Sequence, residues 1–528
     1  MRKHETVHTI RHLKEKWKVP MLPEQVVDLR GDIDVAKKHW LKKAIKLLGS
    51  ITVTCLAIQT IISFGLAPIV RSPGQRTEFF NGVARALWFL GSGVQSFVLG
   101  QSSLANQHIF LLAYCLPLLI ATCVFLALLI LLSHHNQILD TDTPRRLFGW
   151  TICFAAVSIL ASPVLVKDFW LSLVWGRMAA LGMNPYYVLP PSELLQPLPL
   201  GSTVTRMTYG PLWAVISTIT MWLAGSHIYL GAILFKLLLA GAWTWSVWLI
   251  WQLLKDYSYY HQCIGIAVFG WMPLSVTQIV ADGHNDILMI VFLLIWLWGL
   301  KRGNAIKSSV ALAASVLCKY TTGPLFFLDL LHWRGWRKNQ LFTYLTRMLA
   351  AGLFIAVTFA LFYRSTEFFA STFSMKDWHF YTPADAVDAL QQLIGVGWWR
   401  SPMIIKAFFV LLAISYVIHY WARPDQKRLF KAVLAIMSGV LFGIAGHIWP
   451  WFLLWVLCVA ALDSESALSR WVIGVALISP FHILVWIVFP NLNHFYIFFI
   501  PALVVYGFSV LWLAFAPRRW FPPSVANN

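Results

Sequence analysis

Four groups of residues set chemistry-bearing side chains in apolar surroundings. The first is Asp168 in KDFWLSLVWGRMAALGMNPYY, directly after an apolar run. If the chain restarts as a helix there, Asp168 stands at its amino end, and Gly182 with Pro185 ends it. A carboxylate in that place reads equally as a cap on free backbone N–H groups or as a general base whose direction the helix fixes. The second group is ADGHNDILM, with Asp282, His284, Asn285 and Asp286, more polar side chains than one cap needs, although a capped helix start with a pairable histidine also fits. The third is Lys319 in ASVLCKYTTGPLFF, beside Tyr320, Thr321 and Thr322. A lysine in the middle of an apolar stretch requires an anionic partner, either a carboxylate or a ligand phosphate. Lys236 in AILFKLLLA is similar but lies nearer a segment end, within snorkelling reach of the surface. The fourth is GHIWPWFLLW, where His447, Trp449 and Trp451 suit either anchoring in an aromatic belt or stacking of a sugar ring. Arg206, Arg364 and Lys376 are cations that read as solvated loop residues. His284 has no second ligand at metal-binding spacing, and the seven cysteines form no CxxC pair, so neither a metal nor a disulfide framework is expected.

The elements that must hold these groups are membrane helices. Of the 528 residues, 59% are hydrophobic and 12% charged, and the mean hydropathy is +0.67. The apolar residues come in blocks, which excludes a string of soluble domains and makes the chain an all-α polytopic membrane protein. Runs of spanning length sit at 45 to 70, 107 to 133 and 148 to 166, and then at 228 to 251, 262 to 281, 285 to 300 and 347 to 363. The last five are 402 to 421, 430 to 446, 448 to 463, 471 to 489 and 494 to 515. The stretch 307 to 333 is too long for one span and predicts two short helices meeting at Lys319. The total is about 13–14 transmembrane helices.

The 41 Lys and Arg against 22 Asp and Glu give a net charge of +19. In a soluble chain that excess would suggest nucleic acid; here it sorts with topology, because cytoplasmic loops collect Lys and Arg. The basic tail 1–44 is expected in the cytoplasm, as are the clusters at Arg145–Arg146, Lys301–Arg302, Arg334 with Arg337–Lys338, Lys427–Arg428 and Arg518–Arg519. Consistency then makes 167–226, from Lys167 to about Ser226, one large outer loop, with 209 to 224 lying along the surface or dipping in and returning and Trp213 and Trp222 at the interface; a full crossing there would instead put Lys301–Arg302 outside. The expected organisation is the tail 1–44, two spans and an outer loop over 45–133, a catalytic core over 148–515 with a second outer loop at 364–401, and a cytoplasmic tail 516–528. Both termini are then cytoplasmic, in a plasma (inner) membrane, and the four groups fall on the outer side.

In order and spacing, the segments resemble the integral-membrane glycosyltransferases of the GT-C type, and most closely the bacterial polyprenol-phosphate-mannose-dependent α-mannosyltransferases. The residues that carry the resemblance are D-x7-G-R (Asp168, Gly176, Arg177), G-x-N-P-Y (Gly182, Asn184, Pro185, Tyr186), Y-G-P-L-W from Tyr209 to Trp213, G-H-N-D from Gly283 to Asp286, K-Y-T from Lys319 to Thr321 and P-W-F-L-L-W from Pro450 to Trp455. One departure is Trp170, where the family pattern has a tyrosine two residues after the acid. The resemblance implies an inverting hexosyltransferase that moves a single sugar, mannose first, from a polyprenyl-phosphate donor to a glycan or glycolipid acceptor outside the cytoplasm. It implies Asp168 as the base; the chemistry then asks for a cation at the leaving phosphate, Lys319 first and Arg206 or Arg364 second, with Tyr320, His284, Asn285 and Asp286 expected to bind donor sugar or phosphate. Arg177, Asn184, Tyr186, Tyr209, His447, Trp449 and Trp451 would support them. No cofactor, metal or nucleic-acid partner is implied. A lipid-linked-sugar transporter or flippase would share the hydropathy but predicts polar groups on both faces and internal repeats, and none is visible. A ligase of lipid-linked glycans would be expected to rely on outer-loop arginines, which are few here.

Overall fold

The computed structural model describes residues 29–66, 104–161, 163, 168–195, 205–225, 227–333, 338–370, 380–396, 401–488 and 495–515. The expectations for residues 1–28, 67–103 and 516–528, and for Lys167, Ser226, Arg334, Arg337 and Lys376, lie outside the described residues. The chain divides into two compact units, Met1–Ala44 and Ile45–Asn528. The groups singled out above all belong to the second.

Among the described residues the architecture is helical throughout, and the only strand-like pairing is a parallel bridge between Phe380 and His447. Among the described residues five helices are long and apolar enough to cross a membrane: Asp34–Ser63, Tyr114–His134, Leu230–Leu253, Leu341–Ala360 and Pro402–Ala422. A sixth candidate is a pair, Tyr259–Gly270 and Pro273–Ala281, bent by 45°. The protein is therefore a polytopic membrane protein built in part from broken and short apolar helices, which the hydropathy runs had counted as whole spans. The causes of the breaks are local. Backbone bonding widens to π geometry at Val276–Ala281, Gly439–Ile444 and Phe495–Phe499. Such π segments interrupt regular helices at functional positions more often than elsewhere. The stretch 307 to 333 breaks where expected: the helix Ala305–Cys318 ends, Lys319 is extended at φ −154°, a 3-10 turn covers Tyr320–Thr322, and the helix Leu325–His332 follows.

The helix Pro211–Ala224 has 14 residues. At 1.5 Å per residue it is about 21 Å long, too short for a hydrocarbon core of about 30 Å. Its two tryptophans behave differently from the expectation that both face the interface. Trp222 is exposed, but Trp213 is buried with its indole N–H on Ser172 Oγ at 3.3 Å, because it lies on the side packed against the helix Asp168–Ala180.

One buried charge cluster was not visible in the hydropathy runs. Asp329 and Arg347 form an ion pair at 2.6 Å with neither side chain exposed. The carboxylate also accepts from Trp296 Nε1 at 2.9 Å and Ser309 Oγ at 2.9 Å, so both of its oxygens are used. Removing one partner of such a pair costs about 3–5 kcal/mol, since the other is left charged and unpaired. The pair fastens the broken helix Leu325–His332 to the span Leu341–Ala360. Further ion pairs, Lys301 with Asp256 at 2.7 Å and Lys427 with Glu465 at 2.6 Å, tie helix ends that carry two of the basic clusters to neighbouring turns.

Candidate active site

Asp168 is the first residue of the helix Asp168–Ala180. That helix crosses Pro211–Ala224 so closely that a Cβ on Gly176 would stand 2.4 Å from the Ser217 carbonyl oxygen. The glycine of the D-x7-G-R motif is thus a packing requirement. The arginine that follows has a structural partner as well: Arg177 donates to the carbonyl of Gly225, which ends the second helix at φ +60°. Between the two helices the chain returns through Tyr186, whose hydroxyl donates to the Tyr209 carbonyl at 2.8 Å and whose ring stacks on Phe368 at 4.0 Å. Asn184 braces the same return by donating to the Phe362 carbonyl at 2.7 Å.

The Y-G-P motif then meets the break at Lys319. Gly210 N–H donates to the Cys318 carbonyl at 3.1 Å, and a Cβ on Gly210 would lie 2.1 Å from the Leu317 oxygen. Only glycine fits there, and the fit sets Tyr209 between the acid and the lysine. The Tyr209 hydroxyl donates to Asp168 Oδ2 at 2.8 Å, while Lys319 Nζ stands 5.6 Å from the centre of its ring. Among the described residues Asp168 Oδ1 has no hydrogen bond, so one carboxylate oxygen remains available. Burial raises the Asp168 carboxyl above its ordinary range, the Tyr209 hydrogen bond and Lys319 draw it down, and Asp286 pushes it up again.

The anion that Lys319 requires is Asp286. Nζ and Oδ1 are 2.6 Å apart; the lysine side chain keeps 15% of its surface exposed and the carboxylate none. Trp455 Nε1 donates to the same oxygen. The rings of Phe452 and Trp455 lie 4.3 and 4.5 Å from Nζ and, with Tyr209, form an aromatic cage around the ammonium. An ammonium has three donors, and Asp286 occupies one. Asp286 opens the helix Asp286–Lys301 with Asn285 at its N-cap, and the turn before it packs on the Asp168 helix: Gly283 has φ +82°, and a Cβ there would meet the Phe169 ring at 2.3 Å.

His284 is buried beside this pair. Burial first and Lys319 second hold its imidazole well below its ordinary pKa, so it is neutral at physiological pH, and its Nε2 has no partner. It stacks on Trp451 at 4.0 Å, and Trp451 stacks on Trp449 at 5.0 Å and 5°. Trp451 is buried in this stack, with 6% of its surface exposed. The parallel bridge to Phe380 holds His447 and this segment in place. The Tyr320 hydroxyl is buried without a partner, its ring 6.1 Å from Phe369. The structure thus gathers Asp168, Tyr209, Lys319, Asp286 and His284 into one cluster. Arg206 is half-buried, and Arg364 is exposed and folded back onto the carbonyls of Ala360 and Tyr363, so its guanidinium is not in that cluster. Sequence reasoning had not picked Trp455 or Phe452 as site residues; a signal lay in the four-residue step from Trp451 to Trp455, which can set two rings on one face of a helical turn.

The N-terminal domain profile of the alpha-(1->6)-mannopyranosyltransferases matches residues 83–334, just under half of the chain. The alpha-(1->6)-mannopyranosyltransferase A of Mycobacterium tuberculosis is 22% identical over 359 residues, which cover 61% of this chain and 67% of that protein. These matches support a mannosyltransferase of the GT-C type. The profile match contains Asp168, Tyr209, Asp286 and Lys319 and stops before Phe452 and Trp455. A glycosyltransferase of this kind must activate an acceptor hydroxyl and stabilise a leaving group, and a carboxylate with a free oxygen beside a caged ammonium has the chemical capacity for both.

Proposed function

We propose that the protein transfers one mannose, with inversion, from a polyprenyl-phosphate donor to a glycan or glycolipid acceptor on the extracytoplasmic face of the membrane. The observation that carries this reading is Tyr209, whose hydroxyl donates to Asp168 while its ring lies 5.6 Å from Lys319 Nζ, so that one side chain links a candidate base with a cation. Asp168 Oδ1 takes the proton of the acceptor hydroxyl. The acceptor oxygen forms its bond to the anomeric carbon as the bond from that carbon to the donor phosphate oxygen breaks. The electron pair leaves with the lipid phosphate, and the two unoccupied N–H groups of Lys319 receive the growing charge. His284 and Tyr320, buried with unpartnered polar atoms, face the sugar hydroxyls.

A panel of polyprenyl-phosphate donors carrying mannose, glucose, arabinose or galactose tests this in membranes containing the protein. Transfer is expected from the mannose donor above the others, with the opposite anomeric configuration in the product. Retention of configuration, or no transfer from any of the four, sinks the reading.

The base also makes a pH dependence. Asp168 must be ionised, so kcat/KM falls as the pH drops through its raised pKa. Tyr209→Phe keeps a ring beside Lys319 but removes the hydrogen bond that lowers that pKa. The acid limb of the profile is expected to move to higher pH in this variant. A profile superimposable on that of the wild type would mean that another group titrates in the rate.

A further inference from the structure

The turn that carries His284, Asn285 and Asp286 hangs from an irregular support. Before it the chain runs through the π segment Val276–Ala281; Asp282 N–H closes a five-residue step to the Thr277 carbonyl at 2.8 Å, and His284 N–H reaches the Gln278 carbonyl at 3.1 Å. Carbonyls at the end of a helix lack intrahelical partners and favour a cation. One is present. Lys236, in the neighbouring span Leu230–Leu253, is 6% exposed, and its ammonium donates to the Val280 carbonyl at 2.6 Å and to that of Ala281. The carboxylate of Asp282 acts on it electrostatically and receives a further hydrogen bond from Gln278 Nε2 at 3.2 Å. The lysine is turned inward, onto the backbone, and does not snorkel.

From this geometry we infer that Lys236 is a positioning residue for sugar transfer: it fixes the end of the π segment, and through it the register of Asp286 and hence of Lys319. The chain of contacts is continuous. Lys236 holds the carbonyls of residues 280 and 281, Gly283 rests on Phe169 next to Asp168, and Asp286 holds Lys319. Lys236 itself touches none of these reacting groups, so its effect is on geometry. Because a misplacement of about 1 Å in a reacting group can cost on the order of 10²-fold in rate, a loosened turn is felt in the chemical step. The inference rests on the proposed transferase reading.

Lys236→Met and Lys236→Arg are compared with the wild type, with transfer from polyprenyl-phosphate mannose and thermal unfolding measured on the same preparations. The methionine matches the lysine stem without its donors or charge. Its kcat per folded molecule is expected to fall about 10- to 10²-fold while the donor KM stays within about twofold. Lys236→Arg, which keeps the charge and the donors, is expected to retain at least half of the wild-type kcat. A Lys236→Met protein that does not fold, or that turns over at the wild-type rate per folded molecule, overturns the inference, because the lysine then serves the scaffold alone. A folded Lys236→Arg as slow as Lys236→Met overturns it too. A wild type that shows no transfer is a different result, since it removes the proposed function and not only the role of Lys236.

Discussion

Asp168→Asn abolishes sugar transfer while leaving the protein folded. The amide is nearly isosteric with the carboxylate, and its oxygen still accepts from the Tyr209 hydroxyl, so the helix Asp168–Ala180 keeps its place. What disappears is the capacity to take a proton. General bases contribute about 10²–10⁴-fold to such reactions, and a loss of at least about 10³-fold is expected in kcat with little change in donor KM. The measurement is transfer of labelled mannose from the lipid donor, set beside the unfolding temperature of the same preparation. Retained transfer in a folded Asp168→Asn protein would remove Asp168 from the role of base.

The second large effect is at Lys319, and it needs two variants to interpret. Lys319→Met removes the cation but also strands Asp286, which has 0% side-chain exposure and keeps only the Trp455 N–H. A buried carboxylate without its partner is strongly destabilising, so this variant is expected to lose both activity and stability. Adding Asp286→Asn removes the stranded charge. The double variant is expected to regain most of the lost thermal stability and none of the transfer, with kcat still down about 10²–10³-fold, the range for loss of one donor that stabilises developing negative charge. The opposite pattern, a double variant that transfers at the wild-type rate, would reduce the pair to a structural clasp.

A pair of this kind explains why the sequence was informative about some residues and silent about others. The need of Lys319 for an anion could be read from its apolar surroundings, and so could the break after Cys318, because Thr321, Thr322, Gly323 and Pro324 follow it directly. The identity of the anion could not. Asp286 lies 33 residues away, and a lipid phosphate satisfied the same requirement. Asp168 was equally legible as a cap and as a base, and its hydrogen bond to Tyr209, 41 residues on, could not be read at all. Trp451 was a candidate sugar platform by composition; that its ring packs against those of His284 and Trp449 could not be read from it. Asp329 was lost in an apolar run because hydropathy averages over neighbours, and its partner Arg347 stands 18 residues further along.

By itself, then, the sequence determined the solvent of this protein and the candidates for its chemistry. Long apolar blocks admit only helices in a bilayer, and ionised groups are too costly in such blocks to be incidental. Motif order added the enzyme class. The tertiary structure decided which polar groups face one another. Gly176, Gly210 and Gly283 let three backbone segments approach where a Cβ would collide, and those approaches bring Asp168, Tyr209, Lys319 and Asp286 into a single cluster. The physical reason is range: periodicity and composition report on neighbours along the chain, whereas a hydrogen bond across 33, 41 or 169 residues depends on how whole helices pack.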